Sequence, residues 1–174
     1  IVKKYGASVV GLTLDKRGIP QTAEGRIAIA RRILDAALTH GIPKEDLWID
    51  CLTLTVSAQQ EQAVETLKAV KTVRHELGLQ TVLGVSNISF GLPNRPLLTQ
   101  NFLIQAMYAG LTLPIINPNQ KEMMDAASKE EFEKALYELK DRQQRRKILT
   151  DLENNMEGFA GSVKLVLKAG KQGR

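Results

Sequence analysis

Short apolar runs alternate along this chain with longer segments whose apolar positions recur every three or four residues. Residues 1–6 read as the end of a helix that Gly6 stops. Residues 7–14 (Ala-Ser-Val-Val-Gly-Leu-Thr-Leu) have the length and β-branched content of a buried strand, with Asp15 at its carboxyl end. A polar loop over 15–20 leads to Thr22, which caps a helix running to about His40. In that helix Ile27, Ala30, Ile33, Leu34, Ala37 and Leu38 follow the helical period, and Gly41 stops it. Residues 46–54 are a second strand and its exit, with Asp50 inside an otherwise apolar run. Ser57 and Gln60 have capping-box spacing ahead of a helix over about 59–78, packed through Val64, Leu67, Val70, Val73 and Leu77 and closed by Gly78.

Residues 81–85 form a third apolar run that breaks into Gly84, Ser86, Asn87 and Ser89. A turn from Gly91, Pro93 and Asn94 follows, then a helix over 96–109 with proline in its first turn and Gly110 behind it. Residues 111–116 are a fourth run, ending at Asn117 and Pro118. Strand and helix therefore alternate four times, with a period of roughly 35 to 40 residues, long enough for a crossover helix between parallel strands. Each strand has a polar residue at or near its carboxyl end: Asp15, Asp50, Asn87 and Asn117. In a β/α barrel those ends converge on one mouth. The expected fold is an α/β parallel half-barrel, four βα units of a TIM-type barrel. The open doubly wound sheet is the other arrangement of such units, but there is no GxGxxG loop and no P-loop to support it.

The pattern changes after about Met124. Ser128 and Glu131 make a capping box, and residues 129–157 are rich in charge without Gly or Pro. Phe132, Leu136 and Leu139 share one face and Leu149, Leu152, Met156 and Phe159 another, so a long solvated helix or a short coiled-coil strand is expected there. The chain divides into a barrel part over 1–126 and a helical extension over 127–174.

Composition narrows the classes. The formal net charge is +5, with 11 Lys+Arg against 8 Asp+Glu after Ser128 and 13 against 11 before it, so neither part is a polycation that calls for nucleic acid. No apolar run approaches the roughly 18 residues of a membrane span. One cysteine, Cys51, excludes an internal disulfide and fits a reducing, cytoplasmic compartment. There is no signal peptide. The chain opens at Ile1 within a pattern and without methionine, which suggests a fragment of a longer chain.

Among single residues Asp50 says most. Flanked by Trp48, Ile49, Cys51 and Leu52, its carboxylate either caps nearby backbone amides or faces the barrel mouth as a ligand-binding group. Asn87 offers two donors and an acceptor at a strand end. Asp15 and Asn117 are weaker candidates, because Asp and Asn are common at loop entries. Arg95 either clamps an anionic group or bridges its loop. His40 reads as a helix C-terminal residue and His75 as solvated. Cys51 reads as a small buried apolar residue, and two distant histidines with one cysteine give no metal-site spacing.

Three segments resemble a known family. They are Val10-Gly11-Leu12-Thr13-Leu14-Asp15, Trp48-Ile49-Asp50-Cys51-Leu52-Thr53-Leu54-Thr55-Val56-Ser57, and Gly84-Val85-Ser86-Asn87-Ile88-Ser89-Phe90-Gly91-Leu92-Pro93-Asn94-Arg95. They are similar to the pterin-binding barrel of cobalamin-dependent methionine synthase and of related methyltetrahydrofolate–corrinoid protein methyltransferases, over about residues 1–126. The resemblance implies the last four strands of an eight-stranded barrel. Its substrate would be 5-methyltetrahydrofolate, whose methyl group passes from N5 to Co(I) of a corrinoid (cobalamin) on another domain or protein. Asn87 matches the asparagine that hydrogen-bonds near N5 and favours its protonation, the catalytic role. Asp50 matches the carboxylate that holds the amide-like edge of the pterin. Gly84 and Ser86 would line the pterin pocket, and Arg95 and Asn117 match positions near the mouth. Dihydropteroate synthases share the pterin, but carry a lysine where this chain has Asn87.

Two departures accompany the resemblance. The earlier strands of the barrel are absent, which leaves two open strand edges. Such a chain would associate with a copy of itself or a complementary half, and would have weak or no catalysis alone. The tail, around Asp141-Arg142-Gln143-Gln144-Arg145-Arg146-Lys147 and residues 151–164, is instead similar to the coiled-coil arm before the hinge of the structural-maintenance-of-chromosomes ATPases. A non-catalytic self-association module built from the half-barrel and the tail helix is the alternative function.

Overall fold

The computed structural model describes residues 1–128. The expected long helix and the tail resemblance fall on residues 129–174, outside the described residues. Along the described chain the order is α1 (Val2–Tyr5), β1 (Val9–Leu12), α2 (Ala23–Thr39), β2 (Leu47–Asp50), α3 (Gln62–His75), β3 (Gln80–Gly84), α4 (Arg95–Ala109), β4 (Leu113–Ile115) and α5 (Lys121–Ala127). Short 3-10 turns precede β2 (Lys44–Asp46) and follow β3 (Val85–Ser89).

The four strands form one parallel sheet in the order β1-β2-β3-β4. A helix joins each strand to the next, as a parallel connection requires. Sequential order with interleaved helices is an α/β fold consistent with part of a TIM-type barrel.

One sheet face carries Leu47, Ile49, Thr81 and Leu83, all buried against the helices. Here Gly11 permits close packing of α2 on β1, because a Cβ at that position would stand 2.7 Å from Ile33 Cγ2. The caps match the residues that specify them. Thr22 Oγ1 accepts the Gly25 amide at 3.2 Å, and Gly41 and Gly110 leave their helices at φ +70° and +112°.

Several expectations need correction. Ser57 and Gln60 do not cap α3. Its N-cap is Glu61, without a side-chain bond, and Ser57 Oγ donates instead to the Phe90 carbonyl at 3.1 Å. The hydroxyl has found a tertiary partner, and α3 is shorter at both ends than expected. Leu38 is half exposed rather than packed. Helix α5 had no counterpart in the sequence reading; it buries Met123 and Ala126 in the common core.

The larger difference lies on the second face of the sheet. Continuous apolar runs imply strands buried on both faces. Yet Val10, Leu12, Leu113 and Ile115 are 50%, 45%, 42% and 59% exposed. They share this face with Trp48, Asp50, Val82 and Gly84 through the strand register. In a closed barrel it would be the interior; here its middle is covered at Val82, 2% exposed, while the apolar residues of the two outer strands are open.

Candidate functional site

The site is set by how two strands end. Asp50 is the last residue of β2, and Gly84 the last of β3. Asp50 is paired in register with Val82, so Gly84 stands one inward position further along the neighbouring strand.

Beyond Asp50 the chain leaves the sheet through an irregular segment. Leu52 holds φ +61°, a left-handed conformation uncommon for a bulky residue. That turn aims the Leu52 amide back at Asp50 Oδ1, 2.8 Å away. The Asp50 carbonyl is held from the other side by the amide and hydroxyl of buried Thr13, both at 3.0 Å. Asp50 Oδ2 has no hydrogen-bond partner among the described residues. Burial raises the Asp50 pKa above the usual carboxylate value, while the Leu52 amide works in the opposite direction. One Asp50 oxygen thus caps an amide, as the first reading has it, and the other is open on the inner face. Further along the same segment, Thr53 Oγ1 is buried with no partner among the described residues.

Beyond Gly84 the chain turns at once into the 3-10 segment Val85–Ser89. Val85, Ile88 and Ser89 are buried, whereas Ser86 and Asn87 face out. The Asn87 side-chain amide has no partner among the described residues. A Cβ on Gly84 would lie 3.2 Å from Asn87 Nδ2, so the small residue leaves that amide its space.

Arg95, the first residue of α4, braces this turn rather than reaching away from it. Its Nη2 donates to the Ser86 carbonyl at 3.2 Å and its Nε to Ser89 Oγ at 3.3 Å, and the guanidinium lies 5.6 Å from the Phe90 ring centroid. The exits of β2 and β3 are also tied together. Thr55 Oγ1 donates to the Phe90 carbonyl at 2.8 Å, and the Val56 amide to the Ile88 carbonyl at 3.0 Å. Asp50, Gly84, Ser86, Asn87 and Arg95 therefore belong to one cross-linked pair of loops.

Asn117 and Asp15 stand apart from that pair. Asn117 lies just past β4, and its Oδ1 accepts the Asn119 amide at 3.0 Å in a local turn. Asp15 is taken up by Arg17, through the backbone amide at 2.8 Å and an ion pair at 3.1 Å, which lowers its pKa. Cys51 is fully buried and its thiol pKa is pushed up to about 12, mainly by burial, so it is inert at neutral pH. His40 ends α2 with Nδ1 2.9 Å from the Ala36 carbonyl, and His75 is exposed. An apolar groove of about 470 Å³ lies at the opposite end of the strands, where Val9 and Leu47 begin β1 and β2.

The sequence pattern of the pterin binding enzyme family matches residues 1–117. The chain belongs to this family. The match takes in all four strands and every candidate strand-end residue. Two methionine synthases are similar to the chain. That of Mycobacterium leprae (strain TN) is 36% identical over 151 residues, covering 82% of the chain and 12% of the relative. That of Mycobacterium tuberculosis (strain ATCC 25618 / H37Rv) is 35% identical over 170 residues, covering 92% and 14%. A methylcorrinoid:tetrahydrofolate methyltransferase of Eubacterium limosum is 29% identical over 119 residues, covering 68% and 44%. The chain thus spans between 12% and 44% of the length of these relatives. Asp50 and Asn87 place a carboxylate and an amide just at and beyond adjacent strand ends.

One residue of the site's frame escaped the sequence reading. Arg26, on α2, is fully buried behind the exit of β2. The available signal was its position, one helical turn before Ala30 on the stripe that Leu34 and Ala37 continue.

Proposed function

We propose that the chain binds the pterin ring of a tetrahydrofolate at the carboxyl ends of β2 and β3, as part of a protein that moves a methyl group between folate N5 and a corrinoid. The observation that carries this is the pairing of an open Asp50 oxygen with the unpartnered Asn87 amide on two cross-linked strand exits. The names of the relatives, methionine synthase and methylcorrinoid:tetrahydrofolate methyltransferase, support the substrate and the corrinoid partner.

In this reading Asp50 accepts from the amide-like N–H edge of the pterin through Oδ2, while Oδ1 stays on Leu52. Asn87 meets N5. A neutral tertiary amine is a poor acceptor for an amide N–H, whereas a protonated N5–H is a strong donor to the amide oxygen. Asn87 Oδ1 therefore favours the protonated nitrogen, the form from which the methyl group leaves. Gly84 and Ser86 line the ring by small size, Arg95 holds the Ser86 turn, and Asn117 borders the mouth from β4. Among the described residues no group of three His, Cys, Asp or Glu side chains converges as a metal site, and none is assigned to the corrinoid. A corrinoid on its own domain or protein would supply the metal that exchanges the methyl group. The half-barrel over 1–126 would act with the extension over 127–174 in a reducing, cytoplasmic setting, with weak or no turnover by the isolated chain.

Calorimetric titration of the full chain with methyltetrahydrofolate tests this. Asn87→Ala and Asp50→Ala should each weaken binding by roughly tenfold or more, the loss of a hydrogen bond to a buried or charged group. Tight binding that neither substitution changes would remove the site assignment.

A second reading is favoured by the exposed inner face of the sheet: a non-catalytic module that self-associates through the open strand edges or the C-terminal helix.

A further inference from the structure

Arg26 is the largest fully buried side chain among the described residues, and it has no carboxylate within ion-pair distance. Its charge is met by neutral oxygens from three segments. Nε donates to the Pro20 carbonyl at 3.1 Å, ahead of α2. Nη2 donates to Gln62 Oε1 and Nη1 to Thr66 Oγ1, both on α3 and both at 2.6 Å. Nη1 also reaches the carbonyls of Cys51 and Leu52, at 3.1 and 3.2 Å. Thr66 Oγ1 adds a contact of 3.2 Å to the same Leu52 carbonyl.

A buried cation is a poor way to gain stability, because an apolar side chain of similar volume does as well or better. What a guanidinium adds is geometry, five donors in a rigid fork. Here Nε and Nη2 anchor the fork to Pro20 and Gln62, which aims Nη1 at the peptide carbonyls on both sides of the Leu52 Cα. Those two peptides define the left-handed turn, and the Leu52 amide within it is the donor to Asp50 Oδ1.

We infer that Arg26 is a positioning residue for Asp50: from behind the sheet it holds Leu52 in its left-handed turn, so that one Asp50 oxygen is engaged and the other is presented on the inner face. The inference rests on the pterin-binding reading for its functional meaning, but its test needs no ligand. The readouts are exchange of the Leu52 amide and titration of the Asp50 carboxyl, both by NMR on the full chain. The adjoining strands β1 and β3 carry no titratable side chain, and Cys51, next in sequence, is buried on the opposite sheet face.

In Arg26→Lys the ammonium keeps the charge and loses the fork. Leu52 amide exchange should accelerate by roughly tenfold or more relative to amides within α3. The Asp50 titration should move further upward, because the amide that favours its charged form has turned away. Glycine adopts a left-handed turn without help. Leu52→Gly placed in the Arg26→Lys chain should therefore return the Asp50 titration toward its wild-type position. Thr66→Val, which leaves Arg26 intact, should shift both readouts the same way to a smaller extent, and it serves if Arg26→Lys fails to fold. Unchanged Leu52 exchange and Asp50 titration in these variants would overturn the inference. So would a uniform acceleration across α2, α3 and β2 that Leu52→Gly does not correct. Loss of folate binding in wild type, with these ligand-free responses intact, would count against the pterin reading alone.

Discussion

A Cβ on Gly84 would stand 3.2 Å from Asn87 Nδ2, closer than most side chains tolerate. Gly84 has φ −75° and ψ 85°, a backbone that alanine can adopt. Gly84→Ala should therefore leave the fold intact, changing stability by less than about 1 kcal/mol. The displaced Asn87 amide should weaken methyltetrahydrofolate binding roughly tenfold or more, since small misplacements of a polar contact are costly. Paired thermal melts and calorimetry check this; equal affinity in the variant would show that Asn87 does not need that space.

Asp50 and Glu65 should respond to acid in opposite directions. Burial raises the Asp50 pKa above its ordinary 3.8, so between that value and its raised folded value the native state binds more protons than the unfolded chain. Stability from this group is present at low pH and is lost as pH rises through the folded pKa. For Glu65 burial opposes the shift, but the Lys68 ammonium at 2.9 Å and the Ala23 amide at 2.7 Å outweigh it and lower the pKa below 4.5. Its contribution is present above 4.5 and is lost as pH falls through the folded pKa. Asp50→Asn should thus melt higher than wild type at neutral pH, with the gain fading toward acid. Glu65→Gln should melt lower at neutral pH, with the deficit fading toward acid. Folate affinity of the wild type should fall as pH drops through the raised Asp50 pKa, because a protonated carboxyl loses its acceptor strength. Melts and titrations across pH 3 to 8 separate these trends, and an affinity that stays flat through that range would exclude the Asp50 carboxylate as a ligand.

Arg95 is exposed, and its bonds are to Ser86, Ser89 and the Phe90 ring rather than to an acid. Exposed contacts of this kind are worth about 1 kcal/mol or less in stability. Arg95→Ala should accordingly leave the melting temperature nearly unchanged and weaken folate binding roughly threefold to tenfold by loosening the Ser86–Asn87 turn. Arg95→Lys should recover little of that loss, since an ammonium cannot reach two acceptors in fork geometry. Full recovery with lysine would point to simple charge attraction instead.

The ends of β2 and β3, at Asp50 and Gly84, were legible in the sequence because small or polar residues interrupt an apolar run there. Gly41, Gly78 and Gly110 were legible for a similar reason, since each occupies a positive-φ position that other residues avoid. Leu52 was not, because a leucine gives no local sign of adopting φ +61°. Its conformation is imposed by Arg26 and Thr66, residues 26 and 14 positions away. Ser57 was misread for the same kind of reason: its cap spacing is local, but the Phe90 carbonyl it bonds lies 33 residues on. Local pattern located the strand ends, while the loops that shape them depend on contacts between units.

The inner face of the sheet gives the 174-residue chain a test of its own. Val10 and Leu12 on β1 and Leu113 and Ile115 on β4 leave about half of their surface open, on the two strands whose outer edges are unpaired in the described sheet. Exposed apolar strands with free edges favour pairing with another chain. A second copy has a matching geometry. All four strands are parallel, so β4 of one copy can continue into β1 of the other, and the same step on the far side closes eight strands about a two-fold axis. Both copies would then place Asp50 and Asn87 at one shared mouth. Sedimentation velocity should find the purified chain as a dimer at micromolar concentration. Leu12→Lys with Ile115→Lys should return it to monomers, because two ammonium groups would have to be buried per copy. Ending the chain after Ala127 should leave the dimer in place. A shortened chain that becomes monomeric would assign the association to residues 128–174, and a dimer that survives both lysines would place the contact away from the sheet.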